Sequence, residues 1–158
     1  MVTKTDTRVM TSLKTAQANS VVLYLNAKRY HWFTYGPLFR DLHLFWDEVA
    51  AAAQAEIDPL GERIRMLGGE PVSAPREIES YASITVAEGR KNPREMLEEA
   101  LRNEERIIGE MRAAARQADD EGDPGSNDLF ATLVQTHEKH AWFIREYLER
   151  GDGMVASP

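Results

Sequence analysis

Two helix-length apolar runs meet at Gly36-Pro37, and they carry metal-binding side chains at fixed heights. In the first, Val9, Leu13, Ala16, Ser20, Leu23, Ala27 and Tyr30 recur at steps of three and four, which is the period of one helix face. This predicts a helix over about residues 7–35. Gly36-Pro37 breaks it, with the proline placed to open a second helix over about 37–67, which stops at Gly68-Gly69. His31 lies in the first run, and His43, Asp47, Asp58 and Glu62 lie in the second. Nitrogen and carboxylate donors of this kind bind iron, zinc or manganese. His43 and Asp47 are four residues apart, as are Asp58 and Glu62, so each pair shares a helix face. His31 precedes Gly36 by five residues and His43 follows it by seven, so folding back at the turn brings the imidazoles to similar height. Fifteen residues separate His43 from Asp58, which is roughly 22 Å of continuous helix at ~1.5 Å per residue. One ion cannot touch both pairs within one chain. A single site built from all five needs two chains.

The remainder reads as helix as well. Pro71 and Pro75 open a long connection that Pro93 closes, with one short helix expected over 76–82. Asn92-Pro93 reads as an N-cap followed by proline at the first helical position, opening a third long helix to about 118. Gly122-Asp123-Pro124-Gly125-Ser126 reads as a loop, and a fourth helix runs from near Ser126 to Arg150. Its apolar band is wide: Leu129, Leu133, Phe143 and Tyr147, with Phe130, Val134, Ile144 and Leu148 beside them. Four long helices with one long connection fit an all-α, ferritin-like four-helix bundle with a short extra helix between the second and third. A length of 158 residues suits a single domain over 1–158, with loose ends at about 1–6 and 152–158.

Composition narrows the function. There are no cysteines, which excludes disulfides, thiolate zinc sites and iron–sulfur clusters. No apolar run approaches a membrane span, and no basic-then-apolar segment opens the chain, so a cytoplasmic protein without a membrane partner is expected. The formal charge of −7 disfavours nucleic acid and favours cations.

The runs HWFTYGPLFRDLHLFWDE and EIDPLGERIRMLGGEP resemble the signature of the Dps-type mini-ferritins, the DNA-binding proteins from starved cells. QTHEKHAWFIREYL is similar to their last helix, and the likeness spans about residues 9–151. The resemblance implies a hollow homo-oligomeric shell of twelve subunits that oxidises Fe(II) with hydrogen peroxide (or dioxygen) and stores the mineral. It implies a ferroxidase centre at a two-fold interface, with His31, His43 and Asp47 from one subunit and Asp58 and Glu62 from the other. Iron is the implied metal, and zinc prefers similar donors. The resemblance also makes Glu48, with Asp47, a candidate for mineral nucleation. It further places Asp123 and Asp128, from an acidic run that reads otherwise as a solvated loop, at a three-fold pore.

Other residues have two readings. Trp32 and Trp46 flank the histidines and either pack in a core or interface, or intercept oxidising equivalents. Pro59 removes a helical hydrogen bond and predicts a kink that could re-aim Asp58, while Gly61 offers room for a partner's backbone. His137 and His140 fall in the apolar band of the fourth helix, and Glu104 falls in that of the third. A satisfied core set is the ordinary reading and a second metal site the alternative. A conventional di-iron protein with its site inside one bundle needs Glu-x-x-His pairs, and the chain has none. The remaining alternative is a nucleoid-binding structural protein. Residues 1–14 offer only Lys4, Arg8 and Lys14 against Asp6, so weak or absent DNA binding is expected.

Overall fold

The computed structural model describes residues 8–151, so the expected loose ends lie outside the described residues. Five helices follow in order: α1 (Arg8–Phe33), α2 (Phe39–Met66), α3 (Pro75–Tyr81), α4 (Pro93–Asp120) and α5 (Pro124–Leu148). α1 packs along α2 and α4 along α5. The two hairpins join through α1–α4 and α2–α5 contacts, and α3 lies against α1. This is the ferritin-like bundle with a short extra helix in the α2–α4 connection. Leu13, Leu23, Leu42, Trp46, Leu60, Ile64, Ile107, Phe130 and Ile144 are fully buried in its core. Each aliphatic side chain among them contributes about 1.5–3 kcal/mol through burial.

The ends of the helices differ from expectation for local reasons. Pro37 does not open α2. Gly36 turns the chain at φ 92°, Phe39 N–H donates to Gly36 O at 2.9 Å, and Leu38 occupies the N-cap. α1 accordingly stops at Phe33, two residues earlier than its periodicity suggests. α5 begins at Pro124 rather than Ser126, because Asp123 caps it by accepting from Ser126 N–H at 3.0 Å and proline suits the first helical position. It ends at Leu148, while α4 continues to Asp120. α2 stays helical through Pro59, an exposed residue on its outer side. Gly61 is buried against its own chain: a Cβ there would stand 2.8 Å from Gln17 Nε2 on α1. The glycine therefore serves the α1–α2 packing within one subunit.

Buried amides fasten the long α2–α4 connection to the bundle. Asn103 accepts from Thr85 N–H at 3.0 Å and donates to Thr85 O at 2.9 Å, so one side chain satisfies both backbone groups of one residue. Asn26 donates to Thr85 O at 2.8 Å and accepts from Ala87 N–H at 2.8 Å. Asn19 accepts from Ser83 N–H, and Gln17 accepts from Val72 N–H, both at 2.8 Å. These amides supply the partners that a connection without secondary structure needs.

Candidate metal centre

His31 on α1 and His43 on α2 face each other across the turn. Their rings stack with centroids 3.6 Å apart and planes 19° apart. His31 Nδ1 lies 2.7 Å from His43 O, and His43 Nδ1 lies 2.9 Å from His31 O. A carbonyl oxygen only accepts, so each Nδ1 carries the proton and donates. Each ring is thereby fixed as the tautomer whose Nε2 has a lone pair for a metal. His31 is buried and His43 partly buried, so both rings are held by packing as well.

Asp47 sits one helical turn after His43, with Oδ1 3.4 Å from His31 Nδ1. Its nearest cation is Lys28 Nζ at 2.7 Å, and that hydrogen bond holds the carboxyl below the usual Asp range. Asp58 and Glu62 lie together, both exposed, along an open groove between α2 and Pro71. The chain thus gathers His31, His43 and Asp47 at one place and Asp58 and Glu62 at another. Continuous α2 keeps the two groups apart. Among the described residues, none of these five belongs to a set of three donors close enough to share an ion.

The other candidates fall in varied surroundings. Trp32 is exposed at 68%, whereas Trp46 is in the core at 1%, its ring 4.8 Å from Tyr30 and 5.1 Å from Phe45. Glu48 is exposed. Asp128 is exposed too, but Asp123 is mostly covered and forms an ion pair with Arg63 of α2 while it caps α5. Burial alone would raise the Asp123 pKa; the Ser126 amide and hydroxyl and the Arg63 guanidinium more than reverse that and lower it.

A second constellation occupies the bundle interior. Glu104 of α4 and His137 and His140 of α5 bring ligand atoms within 4.8 Å of one another. His137 Nδ1 lies 2.7 Å from Glu104 Oε2, and its Nε2 lies 3.1 Å from Glu56 Oε2 of α2. Ser20 of α1 donates to the same Glu56 oxygen at 3.0 Å. Burial opposes a charge on His137, but the two glutamates hold its proton and its pKa is pushed up to about 10. The reading of Glu104 as a partner for His137 is correct, while Glu56 is missing from it. The signal was Glu56 in register with Val49, Ala53 and Leu60, all core residues of α2.

The profile described as a ferritin-like domain matches residues 10–154. The DNA protection during starvation protein of Brevibacillus brevis is 33% identical over 132 residues, covering 84% of this chain and 89% of that protein. The solved structure of Dps from Thermosynechococcus elongatus superposes with a TM-score of 0.92 at 50% identity, covering 94% of this chain and 95% of that one. The Dps protein of Vibrio cholerae O1 gives a TM-score of 0.84 at 25% identity over 90% of this chain and 89% of that one. It is described as a member of a broad superfamily of ferritin-like diiron-carboxylate proteins. The chain belongs to the ferritin-like family, and within it to the Dps-type mini-ferritins. No helix among the described residues is long and apolar enough to cross a membrane.

Proposed function

We propose that the chain is one subunit of a hollow homododecameric shell that oxidises Fe(II) with hydrogen peroxide, or with dioxygen, and stores the ferric product. The carrying observation is the pair of stacked imidazoles, both fixed in the metal-binding tautomer, on a chain whose matching carboxylates, Asp58 and Glu62, begin fifteen residues beyond His43 along one unbroken helix. Two chains in antiparallel register bring the halves together. His31, His43 and Asp47 of one subunit then face Asp58 and Glu62 of the partner subunit. An apolar surface supports this reading: Trp32, Phe33, Tyr35, Leu38, Phe39 and Leu44 are exposed around the histidines. Exposed apolar patches of this kind mark surfaces that a second subunit covers.

Fe(II) is the substrate. Two imidazoles and three carboxylates bind the divalent ion, and their negative charge favours the ferric product more strongly. Each Fe(II) gives up one electron; one peroxide takes two electrons and two protons and leaves as two waters. The chemistry consumes peroxide and free Fe(II) together, so it protects DNA without touching it. Zinc occupies the same donors and competes.

The test replaces His31→Asn and His43→Asn together. Asparagine retains an N–H donor near the position of Nδ1 and lacks Nε2, so the turn keeps its closing bonds. Peroxide-driven Fe(II) oxidation, followed by ferric absorbance, should fall at least about tenfold, the scale for losing metal-site residues. A rate equal to that of the unaltered protein overturns the assignment.

A further inference from the structure

We infer that Glu104, His137 and His140 form a divalent-cation site inside each subunit, distinct from the histidines at the α1–α2 turn, with Glu56 orienting His137. The three residues are 0%, 1% and 7% exposed. Two poorly satisfied atoms point to a ligand. Glu104 Oε1 and His140 Nδ1 are both buried and contact only each other, at 3.3 Å and without hydrogen-bond geometry. A network that served only to hold helices together would not leave its central carboxylate oxygen and a facing imidazole nitrogen misaligned, since buried polar groups are nearly always satisfied. An ion between them satisfies both.

The surroundings match what metal sites require. His137 presents Nδ1 toward Glu104, and its Nε2 lies against Glu56, so on metal binding the Nε2–H donates to a carboxylate. Ser20 fixes that carboxylate in turn. A ligating imidazole that donates its other N–H to a carboxylate is the usual orienting arrangement. Charge also favours an ion. Glu56 and Glu104 place two carboxylates in an apolar interior; without an ion the proton on His137 offsets one of them, and a divalent cation that displaces the Nδ1 proton to solvent, leaving His137 neutral, balances both. Two nitrogens and one carboxylate select zinc or Fe(II) over magnesium or calcium, which take oxygen ligands. His140 is the most exposed member and lies beside the Phe45 ring, at 6.3 Å between centroids. An ion held there ties α4 to α5, and through Glu56 to α2.

Cobalt(II) reports on this site directly. The assembled full-length protein carrying His31→Asn and His43→Asn is stripped with chelator and titrated with Co²⁺. Visible ligand-field bands of nitrogen-bound cobalt should grow to saturation at one ion per chain, and Zn²⁺ should displace them and raise the thermal midpoint. Adding His140→Gln should weaken binding at least about tenfold. Absence of bands, or bands indifferent to His140→Gln, overturns the site. Because these variants could assemble poorly, crystals of the unaltered protein are soaked in Zn²⁺. An anomalous peak at about 2.0–2.2 Å from Glu104 and His140 supports the site, and peaks confined to the surface overturn it.

Discussion

Lys28 competes with any cation for Asp47. It is three residues before His31 on α1, and its ammonium holds the carboxylate that lies 3.4 Å from His31 Nδ1. On the proposed reading, an arriving metal must displace it from Asp47 and then tolerate a like charge nearby. Lys28→Gln is therefore expected to tighten Zn²⁺ binding at the turn severalfold in calorimetric titration; weaker binding would make Lys28 an orienting group instead. Asp123 raises a different question at the same scale. Its cap and its pair with Arg63 predict that Asp123→Ala costs about 0.5–2 kcal/mol, read in denaturant unfolding. Because its folded pKa is depressed, that contribution is complete above the ordinary value of 3.8 and drains away as pH falls through the folded value. The difference between the two proteins should close in acid. Asp128→Asn, exposed and away from the cap, is the cleaner probe of a pore role: iron uptake should slow at low salt while oxidation at the centre continues. The pairing of His31 with His43 was legible from spacing about Gly36. Lys28 and Arg63 were not, since a basic residue on a helix surface does not announce which carboxylate it reaches. Glu56 was legible in principle but lay within an alanine-rich run that draws no notice.

Periodicity located α1 and α5, break and cap signals located α2, α3 and α4, and the errors fell at the ends. Proline signals were read correctly at Pro93, where Asn92 accepts from Glu95 N–H at 3.0 Å, and misread at Pro37 and Pro124. The difference is what precedes each proline: Asn92 and Asp123 both cap with their side chains, whereas Gly36 has none, and the turn bond from Phe39 N–H to Gly36 O sets the start of α2 beyond Pro37. The path of the α2–α4 connection was invisible, because it is held by asparagines that sequence alone places on helix faces with no visible purpose. Asn103→Leu removes the partner of the Thr85 N–H and leaves Thr85 O with Asn26 alone. A loss of about 1–3 kcal/mol is expected, together with faster hydrogen exchange at the Thr85 amide than in the unaltered protein. Unchanged exchange would assign the clamp to Asn26 alone.

At the scale of the whole molecule, the proposed split ligand set demands assembly. Light scattering should give a mass near twelve times 17.9 kDa, and a monomer at micromolar concentration and neutral pH would refute the shell. DNA is a separate matter. Of the basic residues counted over 1–14, Arg8 and Lys14 belong to α1, and Lys14 lies over the Tyr81 ring at 5.4 Å. A shell of chains at −7 each should not shift plasmid DNA at ~150 mM salt with chelator present. A salt-resistant complex would reveal a basic surface that the charge count conceals. On the proposed reading, unbroken α2 also acts as a ruler. It sets the distance between the two half-sites that a subunit offers to its neighbours. Inserting one residue between His43 and Asp58 would swing one half-site by about 100° around the helix, and inserting seven would restore its direction but displace it by roughly 10 Å. Substitutions on the outer face of α2 leave that measure intact. Any change of length within it forfeits the centre, so tolerated insertions belong in the segment between α2 and α4.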